Sequence, residues 1–116
     1  MDYPLLNRCA VIVTPKSPFW DWVNKTSDTD DIFPIEGGGD SNIYLVPSYE
    51  SEENIELAIK KYLTQNYADL FVSELEAWNM DPLTFPETTY DRFNEWFNVS
   101  SHTMIFDTVN KPLKRK

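Results

Sequence analysis

A run of acidic residues at positions 28–31 (Asp-Thr-Asp-Asp) has the composition of a cation-binding loop. A calcium loop of the EF-hand type needs oxygen ligands at alternate positions, a glycine at its sixth position and a glutamate at its twelfth. Counted from Asp28, the sixth position is Phe33 and the twelfth is Gly39. The spacing therefore excludes an EF-hand, and a solvated acidic loop is the default interpretation.

Nucleophilic or zinc chemistry would depend on the single cysteine, Cys9, and the single histidine, His102. Cys9 lies in an apolar run, which favours a buried and unreactive thiol. A structural zinc site takes mostly Cys and His ligands, so carboxylates would have to fill most of its positions here. The sequence thus assigns no catalytic residue, no metal ligand and no cofactor. A small metal-assisted hydrolase stays open as an alternative, using Asp28, Asp30, Asp31 and His102.

Aromatic residues next to acids are better candidates for a site, in this case a protein-binding one. Trp20 and Val23 fall on one stripe of a predicted short helix, whereas Trp22 points off that stripe. Trp22 is therefore either partly exposed or closes an edge of the core. An exposed aromatic side chain surrounded by charge suits the anchor of a protein interface. The predicted binding residues are Trp20, Asp21, Trp22, Asp28, Asp30 and Asp31, and their charge suits a basic protein partner.

The longest regular stretch, 52–79, predicts an amphipathic helix that organises the rest of the chain. Its apolar and aromatic residues recur mostly three or four positions apart, from Ile55 to Trp78. Ser51 is a good N-cap, and the pair Asp81-Pro82 marks the far boundary because the residue before proline avoids helical geometry. Polar residues dilute the stripe near Asn66, which predicts one helix with a local defect.

Shorter segments supply the other predicted elements. The β-branched and nearly continuously apolar run 8–14 predicts a central strand buried on both faces. The glycines at 37–39 permit positive φ before the next strand. Residues 26–41 predict a long loop, which in a compact domain is often functional. The remaining predicted elements are a helix from Ser17 to Asn24 capped by Ser17, a strand from Asn42 to Pro47, a helix from Tyr90 to Phe97 stopped by a left-handed Asn98, and a strand from His102 to Val109.

The order β-α-β-α-α-β predicts a small two-layer α+β sandwich with helices packed mainly on one face of the sheet. The sheet should have three strands, or four if Ile32–Ile35 forms a short additional one. Residues 1–110 form a single predicted domain, and residues 111–116 form a basic tail that we expect to be disordered.

The net charge of the chain bears on which kinds of partner it can bind. The chain has 19 acidic and 10 basic residues, a net charge of −9, and without residues 111–116 the 19 acids face 6 bases, a net charge of −13. Nucleic-acid binding is disfavoured because it needs a basic face. The sequence has no stretch near the ~18 consecutive apolar residues of a membrane span, and its single cysteine fits a reducing compartment. These observations predict a soluble cytoplasmic protein.

Three segments in the C-terminal part resemble small bacterial proteins of unknown function. They are residues 75–78 (Leu-Glu-Ala-Trp), 90–97 (Tyr-Asp-Arg-Phe-Asn-Glu-Trp-Phe) and 102–107 (His-Thr-Met-Ile-Phe-Asp). The resemblance implies a bacterial cytoplasmic domain and assigns no activity and no site. The leading hypothesis is a non-enzymatic protein-binding or regulatory module that contacts a basic partner, and a structural homo-oligomer is an alternative beside the hydrolase.

Overall fold

Strand β1, Arg8–Pro15, is the middle strand of a three-stranded antiparallel sheet and lies between β2, Asn42–Pro47, and β3, Phe97–His102. The computed structural model describes residues 2–35, 41–49 and 51–116. Within them, the element order confirms the predicted β-α-β-α-α-β arrangement of an α+β domain. The other elements are α1 Ser17–Thr26, β2 Asn42–Pro47, α2 Ile55–Glu76, a short 3₁₀ helix Pro82–Thr84, α3 Tyr90–Trp96 and β3 Phe97–His102.

Side chains of β1 alternate between the two faces of the sheet, as the pleat requires. Cys9, Val11 and Val13 are buried in the core that the helices cover. The sequence predicted a strand buried on both faces, but the opposite face is only partly covered. Exposed Ile43 and Leu45 of β2 lie on that second face, beside Ile12 and Ala10 of β1.

Four fully buried phenylalanines form the centre of the core, with Phe97 as their common neighbour. Its ring centroid lies 5.2 Å from Phe19, 5.4 Å from Phe71 and 5.3 Å from Phe93. Aromatic rings at such spacings and tilted angles gain more than area burial alone. The core thus joins one residue from each helix to the first residue of β3.

Helix α2 is a single helix, as predicted, but it begins later and ends earlier than the predicted range 52–79, and the local defect expected near Asn66 does not interrupt it. The Asn54 side chain, and not that of Ser51, caps it by accepting a 3.0 Å hydrogen bond from the Leu57 N–H. The helix passes unbroken through Asn66, whose side-chain amide donates to the Tyr62 carbonyl. Among the described residues, no helix has the length and apolarity that crossing a bilayer would require.

The predicted last strand was wrong in its bounds. The sequence placed it at His102–Val109, but β3 covers Phe97–His102, and Phe106 forms only an isolated bridge with Leu5. Burial of Phe97 in the core takes the chain directly from α3 into the strand. Asn98 is therefore extended and paired with Thr14, and no described residue other than glycine has a positive φ, so the predicted left-handed stop is also wrong.

Two further predictions concern the long loop and the start of α1. Residues Ile32–Ile35 do not form a fourth strand, and the glycine run 37–39 lies outside the described residues. Ser17 is the first helical residue of α1 and not its cap, because Lys16 occupies the N-cap position with extended backbone. The loop 27–35 leaves the C-terminal end of α1 and carries the acidic run.

Candidate protein-binding surface

Trp78 follows the C-terminal end of α2 and is the most exposed of the four tryptophans, with 41 % of its surface accessible. Two aromatic rings hold it from the inside. Its ring centroid lies 5.3 Å from Trp20 and 4.9 Å from Phe33, and both contacts are edge-to-face. Such contacts fix the orientation of a ring. Trp78 is therefore half-exposed and held in place.

Other apolar side chains near Trp78 in the chain or in space are also exposed. Ile32, next to Phe33, is 79 % exposed, and Met80 is 72 % exposed. Single exposed apolar residues are ordinary, but several of them within a few positions of an exposed tryptophan or of its ring partner are typical of an interaction site. We define the Trp78 surface as Ile32, Ile35, Trp78 and Met80 together with the exposed acids Asp28, Asp30, Asp31 and Asp81.

Hydrogen bonds attach the loop 27–35 to α1, and attach the end of α1 to the segment that follows α2. The Asn24 side chain binds the Phe33 backbone twice, donating to its carbonyl at 3.0 Å and accepting from its N–H at 2.8 Å. The Asn79 side-chain amide donates to the Thr26 carbonyl at 3.5 Å. These bonds bring the apolar part of the loop and residues 78–81 together.

The three acids of the loop are solvent-exposed, and hydroxyl groups shape the turn that carries them. The Thr29 N–H donates to the Ser27 hydroxyl at 3.2 Å, and the Asp31 N–H donates to the Thr29 hydroxyl at 3.3 Å. Asp28, Asp30 and Asp31 therefore project from a locally bonded loop beside Trp78. Grouped surface carboxylates attract cations and speed the encounter with a basic partner.

Trp22 is a core residue, which is one of the two alternatives that the sequence left open. It is only 8 % exposed, and its indole N–H donates to the Thr84 carbonyl at 2.8 Å. Its ring packs between Phe19 and Phe85. Because its surface is used inside the fold, Trp22 does not present an anchor to a partner.

Of the other predicted binding residues, one is buried beneath Trp78 and four are exposed to solvent. Trp20 is buried under Trp78, whereas Asp21 is exposed on α1. Asp28, Asp30 and Asp31 belong to the Trp78 surface by position. The sequence placed Trp78 in the apolar stripe of α2 and missed its exposure. Its position just before the Asp81-Pro82 boundary could have indicated this exposure, because a residue at a helix end often lies beyond the elements that cover the apolar stripe.

Cys9 and His102 lie on opposite faces of the sheet. Cys9 faces the core, whereas the pairing of Ala10 with His102 puts the imidazole on the other face, where its Nε2 lies 3.1 Å from the Ser100 hydroxyl. His102 is also at the far end of β1 from the acidic loop. In the described part of the chain, no group of three or more His, Cys, Asp or Glu side chains could hold a metal ion.

Glu74 is a buried carboxylate that the sequence did not single out. It is 2 % exposed, and its Oε2 accepts hydrogen bonds from the Tyr44 hydroxyl at 2.6 Å and the Asn42 amide at 2.7 Å. Burial, followed by the hydrogen bond to Glu74, raises the pKa of Tyr44 to about 12. The cluster joins α2 to β2. The sequence feature that could have indicated it is an acid three residues from Phe71, within the apolar stripe of the helix.

Two depressions lie away from the Trp78 surface, at the end of the sheet where Arg8 pairs with Pro47. One, of about 650 Å³, is open to solvent at the start of α2, and its exposed lining includes both Glu52 and Lys61. Its mixed charge selects neither an acidic nor a basic ligand. Beside it, burial raises the pKa of Tyr49. The other depression, of about 410 Å³, is bordered by Leu6, Arg8, Leu45, Leu113, Lys114 and Arg115.

Comparisons with known proteins found no protein similar to this chain. A scan of protein-family models found no match, and searches of curated proteins and of solved structures found none either. The bacterial origin implied by the sequence resemblance therefore stays a prediction, and the candidate site stands on its own residues.

Proposed function

We propose that this protein is a non-enzymatic protein-binding module whose Trp78 surface takes a basic segment of a partner protein. The half-exposed ring of Trp78, held between Trp20 and Phe33, is the observation that carries the proposal. Tryptophan is enriched among the few residues that supply most of the energy of protein interfaces. A ring already fixed in the unbound protein loses little conformational freedom on binding.

The chemistry of the surface favours a cationic partner in two ways. The face of a tryptophan ring attracts Lys and Arg through its quadrupole, more strongly than the face of tyrosine or phenylalanine. The carboxylates of Asp28, Asp30 and Asp31 lie in the adjoining loop, and the chain as a whole has a net charge of −9. The partner segment that fits both features has an apolar side chain for Trp78 and Met80, flanked by Lys or Arg.

The proposal includes a cellular location for the module, which is supported by its cysteine and by the resemblance. The single Cys9 is buried in the core. Together with the similarity to small bacterial proteins, this supports a bacterial cytoplasmic location as part of the proposal. The proposed role needs no catalytic residue, and its only chemical requirement is reversible contact with a cationic segment.

The test follows the four indole N–H signals of the ¹⁵N-labelled protein during titration with a synthetic peptide of one leucine between lysine pairs. We expect the Trp78 signal to shift and the Trp22 signal, bonded to Thr84, to stay unchanged. Raising the salt concentration from about 50 mM to about 500 mM should weaken binding, because surface attraction is screened. A control peptide with glutamates in place of lysines should not bind. A Trp78 signal unmoved by the cationic peptide would contradict the proposal.

A further inference from the structure

The C-terminal tail of this chain has the chemistry that the Trp78 surface would take. Residues 111–116 (Lys-Pro-Leu-Lys-Arg-Lys) contain one leucine flanked by four cationic residues. All six are exposed, and Leu113 keeps 65 % of its surface accessible where it borders the depression beside Leu45. Little apolar burial would be lost if this leucine moved to another apolar surface.

The tail and the Trp78 surface lie at opposite ends of β1. The Asp107 N–H donates to the Pro4 carbonyl at 2.9 Å, so the tail leaves the fold before the start of β1 at Arg8. At the other end, Pro15 leads into α1, which carries Trp20 under Trp78. Glu74, one helical turn before Trp78, contacts Asn42, which pairs with Val13 near that same end.

The tail and the Trp78 surface of the same chain are far apart along the direction of β1. Leu113 follows Asp107 by six residues, which span at most ~22 Å when fully extended. The seven steps from Arg8 to Pro15 already cover ~23 Å, before the distance from Pro4 to Arg8 is added. By these lengths an extended tail falls short of the far end of β1, so we take the Trp78 surface of another molecule as its site.

We infer that the C-terminal tail of one copy docks on the Trp78 surface of a second copy. Leu113 contacts Trp78 and Met80, and the cationic side chains contact the acids of the loop 27–35. The inference rests on the proposed function for its site and names the partner as this chain itself. Because donor and acceptor surfaces differ, the contact is head-to-tail and leaves a tail and a surface available at the two ends of each assembly.

Salt should affect this association in a defined way. Two copies of net charge −9 repel each other, but at physiological ionic strength the Debye length is about 8 Å, so distant charges are screened. Oppositely charged side chains in contact are screened less. We expect association near physiological salt and its loss near 1 M salt, where the Debye length falls to about 3 Å.

Sedimentation velocity on three forms of the chain tests the inference. The unaltered chain should sediment faster as its concentration rises, whereas a chain lacking residues 111–116 and a Trp78→Ala variant should each stay monomeric. An equal mixture of these two variants should form a heterodimer and nothing larger, since one retains the surface and the other retains the tail. Leu57→Ala removes a comparably exposed apolar side chain from the start of α2 and should associate like the unaltered chain.

Several outcomes would overturn the inference. They are an unaltered chain that stays monomeric, a tail-deleted chain that still associates with itself, and a mixture of the two variants that forms no heterodimer. If one of these is found while the lysine and leucine peptide still shifts the Trp78 indole signal, the proposed function stands and only the partner is wrong. If the peptide also fails to bind, both fail. Should Trp78→Ala unfold, Met80→Lys replaces it in the same mixture, because Met80 is exposed and a lysine there repels the cationic tail.

Discussion

The Glu74 carboxylate accepts a 2.6 Å hydrogen bond from the Tyr44 hydroxyl, so a buried acid joins helix α2 to strand β2. The same oxygen accepts from Asn42 at 2.7 Å. Among the described residues, no buried side-chain nitrogen or oxygen lacks a hydrogen-bond partner. The buried carboxyl group is therefore accommodated by two donors from one strand.

Replacing Glu74 by leucine should remove the acceptor and keep a side chain of similar size. We expect the free energy of unfolding to fall by about 1–3 kcal/mol, because the Tyr44 and Asn42 donors lose their common partner. Glu74→Gln should cost less, since one amide oxygen can still accept both bonds. Urea denaturation of the two variants measures the difference. A leucine variant as stable as the unaltered chain would contradict the structural role.

Stability should fall at alkaline pH through Tyr44. Its pKa is raised from 10.0 to about 12 in the folded protein, so between these values the unfolded chain loses this proton first. The unfolded state then binds fewer protons, and the free energy of unfolding decreases as pH rises. The contribution is fully present below pH about 10 and is lost as pH approaches about 12. Denaturation curves at several pH values should show a weaker decline for Tyr44→Phe, which has no proton to lose at this position.

Trp22 and Trp78 should respond differently to the same substitution. Trp22→Phe removes the donor to the Thr84 carbonyl, and we expect a loss of about 1–3 kcal/mol in the free energy of unfolding. Trp78→Phe keeps an aromatic ring at a half-exposed position and should change stability by less than about 1 kcal/mol. Thermal and urea denaturation compare the pair. Equal effects would show that the exposure of the two rings is misassigned.

The start of α2 offers a paired test of its cap. Asn54→Ala should lower the free energy of unfolding by about 1 kcal/mol, because the Leu57 N–H loses its side-chain acceptor. Ser51→Ala removes a residue of similar capping ability three positions earlier and should stay within about 0.5 kcal/mol of the unaltered chain. A larger loss of stability for Ser51→Ala than for Asn54→Ala would indicate that Ser51 caps the helix, as the sequence alone predicted.

Neutralising the loop acids should slow binding more than neutralising acids elsewhere. A variant with Asp28→Asn, Asp30→Asn and Asp31→Asn should bind the lysine and leucine peptide with an association rate about tenfold lower at low salt, because electrostatic steering is lost. The control variant carries Glu52→Gln, Glu53→Gln and Glu56→Gln, which changes the net charge equally at the start of α2. Stopped-flow tryptophan fluorescence measures both rates, and similar losses would mean that only total charge matters.

Local sequence signals predicted the fold better than its boundaries. The β-branched composition of β1 and the proline that ends β2 located both strands, because these signals act within a few residues. The start of β3 depended on Phe97, whose ring packs against three helices, and no local pattern expresses that contact. Likewise Ser51 and Asn54 are both good caps, so local propensity does not decide between them.

The candidate site was predictable in its charge but not in its aromatic centre. The acids of the loop are visible in the sequence because charged side chains remain in water wherever the loop lies. Which tryptophan is exposed depends on packing between α1, α2 and the segment around Thr84, which is distant in sequence from Trp22. Glu74 was missed for the same reason, since its donors lie in a strand some thirty residues earlier.

The pairing of Leu5 with Phe106 also determines how the molecule would respond to mechanical force. Tension applied between the two ends of the chain would first open this bridge and then separate β1 from β3, pair by pair, from Ala10–His102 towards Pro15–Phe97. The residue pairs would bear the load one after another and not together, so the molecule should unfold at low force. Tension applied instead across Pro15 and His102 would pull along both strands and load the whole ladder at once, so resistance would depend on the direction of pulling.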